Sequence, residues 1–353
     1  MKRIFQLLGL FLLIGIAYLL FYPVSINPGI WEAPPIPKLE GKFAVNDKLK
    51  NTDYRYQGQC YKCEDIAVDS SGNIYGGSEH GEIIQFSPEG KRTEIVNTGG
   101  RPLGLDFGKN GLLYIADADK GLLSLDVKSG ELKTLSTTHG GRDFLFADDL
   151  EVADDGKVYF SDASDKFGIK DFQTDLLEHQ PNGRLLVYDP ATGQTDLLLD
   201  KLYFANGVAL SPDSSFVLVN ETGKYRVQRY WLKGPKKGTS EMFIENLPFF
   251  PDGISQGDNG IFWLAQISPR TEQMETLLTQ NFMRKVVARL PKSVQPAPEN
   301  YSLVLGVNHN GEVIHNFQNP AGDYAQIASI QQFGNTLYLG SLGENGVGVY
   351  EME

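Results

Sequence analysis

A short phrase recurs six times along the chain: a Gly, Ser or Asn turn, an apolar pair ending in an aromatic residue or Leu, then small and polar residues. A second apolar segment commonly precedes the phrase and further strand-like segments follow it, so each unit holds four short strands. Six such units, roughly 40–75 residues apart, predict an all-β fold, a six-bladed β-propeller with four-stranded blades. The copies are Gly72–Gly77, Gly111–Ala116, Gly156–Ser161, Ser215–Asn220, Gly260–Ala265 and Asn335–Gly340.

An acid or amide precedes four of the six copies at nearly the same offset. Glu64, Asp148 and Asp252 lie eight residues before their turns, and Asn206 lies nine residues before its turn. Equivalent positions of a repeat occupy equivalent places in space, so the four side chains are predicted to converge near the central axis. Three carboxylates there would repel one another without a cation. The alternative is that some of these residues only cap strands or turns.

The chemistry of this set predicts which ion it would hold. Carboxylate and amide oxygens with no Cys or His suit Ca²⁺, with Mg²⁺ or Mn²⁺ as alternatives, rather than Zn²⁺ or copper. The net charge of −12 and the absence of a basic run argue against a nucleic-acid partner.

The only two cysteines, Cys60 and Cys63, form a Cys-x-x-Cys motif. No second Cys or His pair follows at the spacing of a zinc site, and no βαβ pattern surrounds the motif. A local disulfide and two unpaired thiols both remain open, and a redox role has little support.

The start of the chain predicts a transmembrane anchor over residues 1–23. Lys2 and Arg3 are basic, and the segment from Ile4 to Tyr22 carries no charge over a length that can cross a bilayer as a helix. A cleaved signal peptide is the alternative, but the run ends in bulky residues without an Ala-x-Ala site. The basic start favours a cytoplasmic N-terminus, which would place the rest in a bacterial periplasm or a eukaryotic lumen or exterior.

The remainder divides into a Pro-rich spacer and the propeller. Residues 24–40 are expected to form a stiff, extended spacer, and residues 41–353 the propeller. Two insertions interrupt the repeats, at Lys166–Pro181 and at Pro269–Arg284, and the second has a helical pattern. Inserts at one rim of a rigid scaffold often contact substrate, although surface decoration is an equally good reading.

Several segments resemble the strictosidine synthase-like proteins, a group that includes the adipocyte plasma membrane-associated proteins. The wider superfamily holds the paraoxonases and gluconolactonases, six-bladed propellers with calcium or another divalent ion in the central tunnel. The resemblance covers roughly residues 55–350 and is more specific for the fold than for the reaction. Its segments are Gly100–Leu105, Tyr114–Ala118, Val158–Ser164, Gly183–Pro190, Phe204–Leu210 and Arg229–Gly234.

The resemblance also implies a set of metal ligands. Glu64, Asn206 and Asp252 match ligands of the paraoxonase and gluconolactonase branch, and Asp148 stands where that branch usually has Asn. The change to Asp adds an anionic oxygen, so a hard divalent ion would still be accommodated.

Neighbouring positions match the family less completely. Asp65 and Asp149 match acidic residues that hold a second, structural calcium in paraoxonases. Gly253 replaces an Asn that follows the last metal-binding Asp in many relatives, so one ligand is missing.

Two departures bear on the reaction. Ala325 occupies the position of the Glu that moves a proton in plant strictosidine synthase, and because alanine cannot transfer a proton, strictosidine synthesis is not expected. Paraoxonases use a histidine pair where this chain has Arg101–Leu103 and Ala116–Asp119. The five histidines are interpreted as surface or loop residues; they are His80, His139, His179, His309 and His315.

We therefore hypothesise a membrane-anchored, metal-dependent hydrolase with a lactonase- or arylesterase-like activity on a lactone or small ester. Asp252 is the candidate for a ligand that also accepts a proton from water. The alternative is a non-catalytic binding module whose ion is structural. Apolar inserts around an open ion would favour the hydrolase, and a tunnel plugged by large side chains would favour the binding module.

Overall fold

Each of the six recurring phrases forms the second strand of a four-stranded antiparallel sheet, so the predicted six-bladed all-β propeller is confirmed. The computed structural model describes residues 1–352, and Glu353, the last residue of the expected propeller range, lies outside the described residues.

The first three blades follow one another along the chain. The strands that precede residue 203 are β1 (Asp53–Arg55), β2 (Ile66–Val68), β3 (Ile74–Gly77), β4 (Glu82–Phe86), β5 (Arg92–Asn97), β6 (Pro102–Phe107), β7 (Leu113–Asp117), β8 (Gly121–Asp126), β9 (Glu131–Ser136), β10 (Thr138–His139), β11 (Arg142–Asp143), β12 (Ala147–Val152), β13 (Val158–Asp162), β14 (Gly183–Asp189) and β15 (Gln194–Leu202). Blade 1 consists of β2–β5, blade 2 of β6–β9 and blade 3 of β12–β15, while β10 and β11 form a short hairpin.

Three further blades complete the ring. Their strands are β16 (Ala205–Leu210), β17 (Phe216–Glu221), β18 (Arg226–Trp231), β19 (Ser240–Ile244), β20 (Phe249–Gln256), β21 (Phe262–Pro269), β22 (Ser302–Val307), β23 (Val313–Asn319), β24 (Ile327–Phe333), β25 (Thr336–Ser341) and β26 (Val347–Glu351). Blade 4 consists of β16–β19, blade 5 of β20–β23, and blade 6 of β24–β26 with β1.

The ring is closed by pairing the two ends of the propeller. β1 runs antiparallel to β26, with Asp53 opposite Val349 and Arg55 opposite Val347. The inner strands β2, β6, β12, β16, β20 and β24 pack in turn around the axis, and β24 returns to β2. The contribution of β1 to the last blade was not predicted from the repeats.

Apolar clusters fill the interfaces between neighbouring blades, because alternate residues of a strand face opposite sides of its sheet. On β21, Leu264 packs into the cluster shared with blade 4, whereas Trp263 packs into the cluster shared with blade 6. A strand buried on both faces needs a continuous apolar run, which is the pattern of the recurring phrase.

Cys60 and Cys63 form a disulfide, and both are fully buried. The bond lies directly before Glu64, and the backbone carbonyl of Cys63 accepts a hydrogen bond of 2.9 Å from Ser341 N–H of the last blade. The disulfide therefore constrains the segment that carries Glu64. Disulfides of this kind are typical of proteins outside the cytoplasm.

The N-terminal helix α1 (Lys2–Phe21) has no buried residue and a mean hydropathy of 2.5 over its most apolar window. Its length and composition allow it to cross a membrane, and a signal sequence would share these properties.

Both insertions lie between the second and third strands of a blade. The first forms α2 (Phe172–Glu178), in blade 3. The second, in blade 5, is helical as predicted, but in two short helices, α3 (Glu272–Leu278) and α4 (Asn281–Val287). We call these segments, residues 166–181 and 269–298, the rim inserts.

The Pro-rich segment packs against the propeller; we call residues 24–39 the strap. Ile26 is buried between the two rim inserts, and the Asn27 N–H donates a 2.6 Å hydrogen bond to Glu178 Oε1. Arg284 donates to the Gly29 carbonyl and Arg270 to the Pro34 carbonyl. The segment is extended, but these bonds hold it to the rim inserts.

His179 connects the strap to blade 4. Its ring stacks on Trp31 at 4.5 Å, and its Nε2 lies 2.8 Å from the Gly223 carbonyl oxygen. Burial lowers the pKa of His179 from 6.5 to about 4, and the positive charges of Lys224 and Arg284 oppose its protonation further. His179 was interpreted as a surface or loop residue, but it is buried, with only 5% of its surface exposed.

We predict that acid weakens the fold through His179. Its folded-state pKa of about 4 lies below the ordinary value, so its contribution to stability is complete above pH 6.5 and is lost as the pH falls towards 4. Between pH 7 and pH 5, the free energy of unfolding should fall by roughly 1–2 kcal/mol more in the native protein than in a His179→Phe variant. Urea unfolding at both pH values measures this, and equal losses in the two proteins would refute it.

Candidate functional site

The four predicted axial residues lie at one end of the inner strands. The pairing register of the inner strand shifts at Asp148, at Asn206 and at Asp252, and each shift marks a β-bulge. A bulge re-aims the side chain that it carries. Glu64 lies just before β2, at the same end of its blade.

Two of these bulges contain a glycine that a larger residue could not replace. A Cβ atom at Gly207 would collide with the Asp252 carbonyl oxygen, and one at Gly253 would collide with the Ala328 carbonyl oxygen. Gly253 is the position at which the family resemblance implied that one ligand is missing. In this chain the close approach of blade 6 excludes any side chain there.

The structure brings the four side chains together on the floor of one cavity. Glu64 is 8% exposed, and Asp148, Asn206 and Asp252 are exposed by 5% or less. The Asn206 amide donates a 2.6 Å hydrogen bond from Nδ2 to Oδ1 of Asp252. The predicted convergence is therefore observed.

Two carboxylate oxygens on the floor have no hydrogen-bond partner within residues 1–352. They are Oε2 of Glu64 and Oδ2 of Asp148. The nearest compensating charge is the Arg101 guanidinium, whose NH2 atom lies 3.7 Å from Glu64 Oε2. A buried anionic oxygen without a partner is costly, and a cation would remove that cost.

The donor chemistry therefore fits a hard divalent ion, but the side chains do not form a finished site. Among the described residues, no group of three or more His, Cys, Asp or Glu side chains could hold a metal ion as it stands. Asn206, moreover, turns its NH₂ group rather than its oxygen towards Asp252.

Burial and mutual repulsion raise the pKa of each floor carboxylate. Burial raises the pKa of Glu64 to about 7, with Arg101 acting in the opposite direction. Burial, followed by the charge of Glu64, raises the pKa values of Asp148 and Asp252 well above their usual range. The floor thus favours protons or a cation over three bare negative charges.

A second, smaller cavity of about 60 Å³ shares the floor residues Glu64, Asp148 and Asn206. Asp65 and Asp149, the residues matched to a second calcium site, line it together with Asp106 and Glu151. Burial raises the pKa of all four carboxyls, to about 6 for Asp65 and about 7 for Asp106.

The two matched aspartates already have backbone partners. Asp65 accepts a hydrogen bond from the N–H of Leu105, and Asp149 accepts one from the N–H of Val208. Both bonds run to the next inner strand, which gives these residues a structural role whether or not an ion binds.

The large cavity above the floor has a volume of about 680 Å³ and mainly apolar walls. The start of an inner strand and the connection from the second to the third strand lie at the same end of a blade, because successive strands are antiparallel. The rim inserts therefore stand over the carboxylates. Their side chains on the walls include Ile169, Phe172, Leu176, Met274, Leu278 and Val287.

Sequence reasoning did not single out Asn220 and Arg101 as site residues. Asn220 is fully buried and donates a hydrogen bond from Nδ2 to the Asp252 carbonyl oxygen. Arg101 lines the cavity beside Glu64 and donates to the Lys62 carbonyl oxygen. Asn220 ends a recurring phrase, and only this copy has an amide there, which was the available signal.

The five histidines and Ala325 were not expected to take part in the reaction. All five histidines are described, and among them His179 alone lines the cavity, on its wall. Ala325, which replaces the proton-transferring Glu of strictosidine synthase, is buried, and its N–H lies 3.3 Å from Glu344 Oε1.

Comparison with known proteins gives two family matches and many relatives. Residues 148–235 match the strictosidine synthase family, and residues 41–86 match the strictosidine synthase-like N-terminal family. The chain is 33% identical to the adipocyte plasma membrane-associated protein of Bos taurus, over 96% of this chain and 88% of that protein. It is 37% identical to Protein STRICTOSIDINE SYNTHASE-LIKE 6 of Arabidopsis thaliana, over 84% of this chain and 81% of that protein.

Solved structures with low sequence identity share the fold. A gluconolactonase from Xanthomonas campestris aligns with a TM-score of 0.63 at 14% identity, covering 84% of this chain and 88% of that one. A calcium-binding protein, regucalcin, from Agrobacterium tumefaciens aligns with a TM-score of 0.59 at 15% identity, covering 82% of this chain and 90% of that one.

We predict that Asp148→Asn stabilises the metal-free protein. The raised pKa of Asp148 means that its contribution to stability is present below its ordinary pKa and is lost as the pH rises. Since Asn does not ionise, the variant in chelator should gain roughly 1–3 kcal/mol in unfolding free energy at pH 8 and little near pH 4. The exposed Asp154→Asn is the control. A variant that is less stable than the native protein at pH 8 would contradict the interpretation.

Proposed function

The chain belongs to the strictosidine synthase-like family, and we propose that it is a membrane-anchored hydrolase that depends on a divalent metal ion and cleaves a lactone or another small ester. The observation that carries the proposal is the floor of buried carboxylates, with unpartnered oxygens on Glu64 and Asp148, beneath an open apolar cavity.

Four side chains would hold the ion: Glu64, Asp148, Asn206 and Asp252. Three of them supply carboxylate oxygens, and Asn206 would supply its amide oxygen once that amide turns. Hard oxygen donors suit Ca²⁺ first, and Mg²⁺ or Mn²⁺ as alternatives. When bound, such an ion supplies a Lewis acid that polarises an ester carbonyl and lowers the pKa of water.

Asp252 is the residue that would accept a proton from the attacking water. Its backbone carbonyl accepts a hydrogen bond from Asn220, which restrains the segment that carries the carboxylate, and its Oδ1 accepts one from Asn206 until that amide turns. In the absence of an ion, burial and the charge of Glu64 raise the pKa of this carboxyl well above its usual range, so it binds a proton readily.

Arg101 would restrain the neighbouring ligand. Its guanidinium lies beside Glu64 and is held by the carbonyl oxygens of Lys62 and Gly77. Because arginine stays charged at any working pH, it opposes protonation of Glu64 and favours the anionic form that would bind an ion.

The cavity supports a hydrolase over a binding module. Its apolar walls come from inserts at the rim, and large side chains do not plug the tunnel above the carboxylates. Ligand sites of this size, with few polar groups on apolar walls, are typical of small-molecule binding. The names of the structural relatives, a gluconolactonase and a calcium-binding regucalcin, agree with both the reaction and the ion.

Two features support a propeller outside the cytoplasm. α1 would anchor the chain, with Lys2 and Arg3 on the cytoplasmic side. The buried Cys60–Cys63 disulfide suits the oxidising compartment that this orientation gives the propeller.

The test is hydrolysis of a panel of lactones and aryl esters by the full chain, with Ca²⁺, Mg²⁺, Mn²⁺ or chelator. We expect turnover that requires a metal ion and falls at least about 100-fold in Asp252→Asn, the loss typical of removing a general base. The matched control is Asp154→Asn, whose side chain is 75% exposed.

Two results would contradict the proposal. One is turnover that survives chelation, and the other is full activity in Asp252→Asn. If no ester is hydrolysed but the metal ion still raises the melting temperature, the ion has a structural role and the binding module becomes the better reading.

A further inference from the structure

The cavity is larger and more apolar than a small ester requires. Its volume of about 680 Å³ lies within the range that encloses most of a drug-sized ligand. Most of its wall area is apolar and comes from aliphatic and aromatic side chains of the rim inserts, and polar side chains that include Glu79, Gln173 and Gln326 also line it. Phe172 and Leu176 come from α2, Met274 and Leu278 from α3, and Val287 from α4.

The same inserts are bonded to the end of the membrane helix. Arg289, two residues after α4, donates from Nε to the Tyr22 carbonyl at 2.6 Å and from NH1 to the Leu19 carbonyl at 2.9 Å. Tyr18 and Tyr22 lie together at this end of α1, with ring centroids 4.9 Å apart, as suits a membrane interface. The rim of the cavity therefore lies close to the bilayer surface.

The outer side of the rim is apolar at this point. Phe282 and Met283 on α4 are 56% and 41% exposed, and Val294 is 63% exposed. Lys285 follows Met283 on α4, and Lys292, whose Nζ lies 3.3 Å from Asp171 Oδ1, precedes Val294. Such a mixture of apolar and basic side chains suits the boundary between lipid chains and headgroups. The strap, bonded to Arg284 and Arg270, holds this surface to the propeller.

We propose that the substrate is a long-chain ester or lactone dissolved in the bilayer, which enters the cavity from the membrane surface past α4. This inference rests on the proposed function and names the substrate class. The hydrocarbon chain lies along the walls, and the carbonyl group reaches the floor. Water adds across the acyl C–O bond: its hydroxyl joins the acyl carbon and its proton passes, through Asp252, to the departing oxygen.

The experiment uses the full chain reconstituted in phosphatidylcholine vesicles with Ca²⁺. The substrates are γ-lactones of four, eight and twelve carbons. Because burial of each added methylene strengthens binding of the chain, kcat/KM should rise at least about tenfold from the shortest to the longest lactone. In Leu176→Asp, which places a charge on the wall, we expect this rise to shrink to about twofold or less.

A control separates the wall from simple partition into the membrane. Met242 is 39% exposed on β19, outside the rim inserts, so Met242→Asp should keep the full dependence on chain length. If Leu176→Asp does not fold, Met274→Asp takes its place. A chain-length dependence that is the same in the wall variant as in the native protein would overturn the proposal.

Delivery from the membrane is tested by placing the twelve-carbon lactone either in the vesicles that hold the protein or in separate vesicles. We expect initial rates at least about fivefold higher when protein and substrate share a bilayer. Equal initial rates would contradict entry from the membrane.

A binding measurement distinguishes failure of this inference from failure of the proposed function. The probe is a dansyl-labelled twelve-carbon alcohol, which cannot be hydrolysed, followed by its fluorescence. If the native protein binds the probe, Leu176→Asp does not, and no lactone is hydrolysed, the cavity binds a hydrocarbon chain but the protein is not a hydrolase. If lactones are hydrolysed at rates that do not depend on chain length and the probe does not bind, the protein is a hydrolase but the cavity does not bind a hydrocarbon chain.

Discussion

Aspartate carboxylates accept hydrogen bonds from the backbone of the next inner strand and so fasten the first four blades to one another, and the rest of the structure depends on these bonds. Each of these carboxylates accepts a backbone N–H at 2.8 Å, and the pairs are Asp65 with Leu105, Asp106 with Val152, and Asp149 with Val208. These bonds fix the inner strands around the axis, but they also enclose negative charge there. Closure by β1 and the apolar clusters between blades hold the ring together against that repulsion.

The candidate site follows from the same arrangement. The bulges that bring the strands close also turn Asp148, Asn206 and Asp252 towards the axis, where Glu64 joins them. The result is a floor whose charge Arg101 offsets only in part. Above it the rim inserts supply mainly apolar walls, and low polarity strengthens electrostatic interactions at the floor. The strap follows α1 directly in the chain and is bonded to the rim inserts, so the N-terminal helix and the walls of the cavity lie in one part of the molecule.

Repetition made the fold and the convergence of the floor residues predictable, because equivalent positions of a repeat must occupy equivalent places. Features that break the repeat were not predictable. The strand Asp53–Arg55 completes a blade almost 300 residues away, and residues 24–39 bond to the rim through backbone N–H and carbonyl groups that almost any sequence possesses. A side chain is excluded at Gly253 because the Ala328 carbonyl of the next blade lies so close to it. The sequence around Gly253 gives no information on that distance.

The most direct test of the central claim is to locate the ion. Crystals of the full chain soaked in Mn²⁺ would show it by anomalous scattering, independently of any substrate. The account predicts one peak on the axis, between the carboxylates of Glu64, Asp148 and Asp252, with the Asn206 amide turned so that its oxygen faces the ion. An axial floor without a peak at millimolar Mn²⁺, with Asn206 still donating to Asp252, would contradict it.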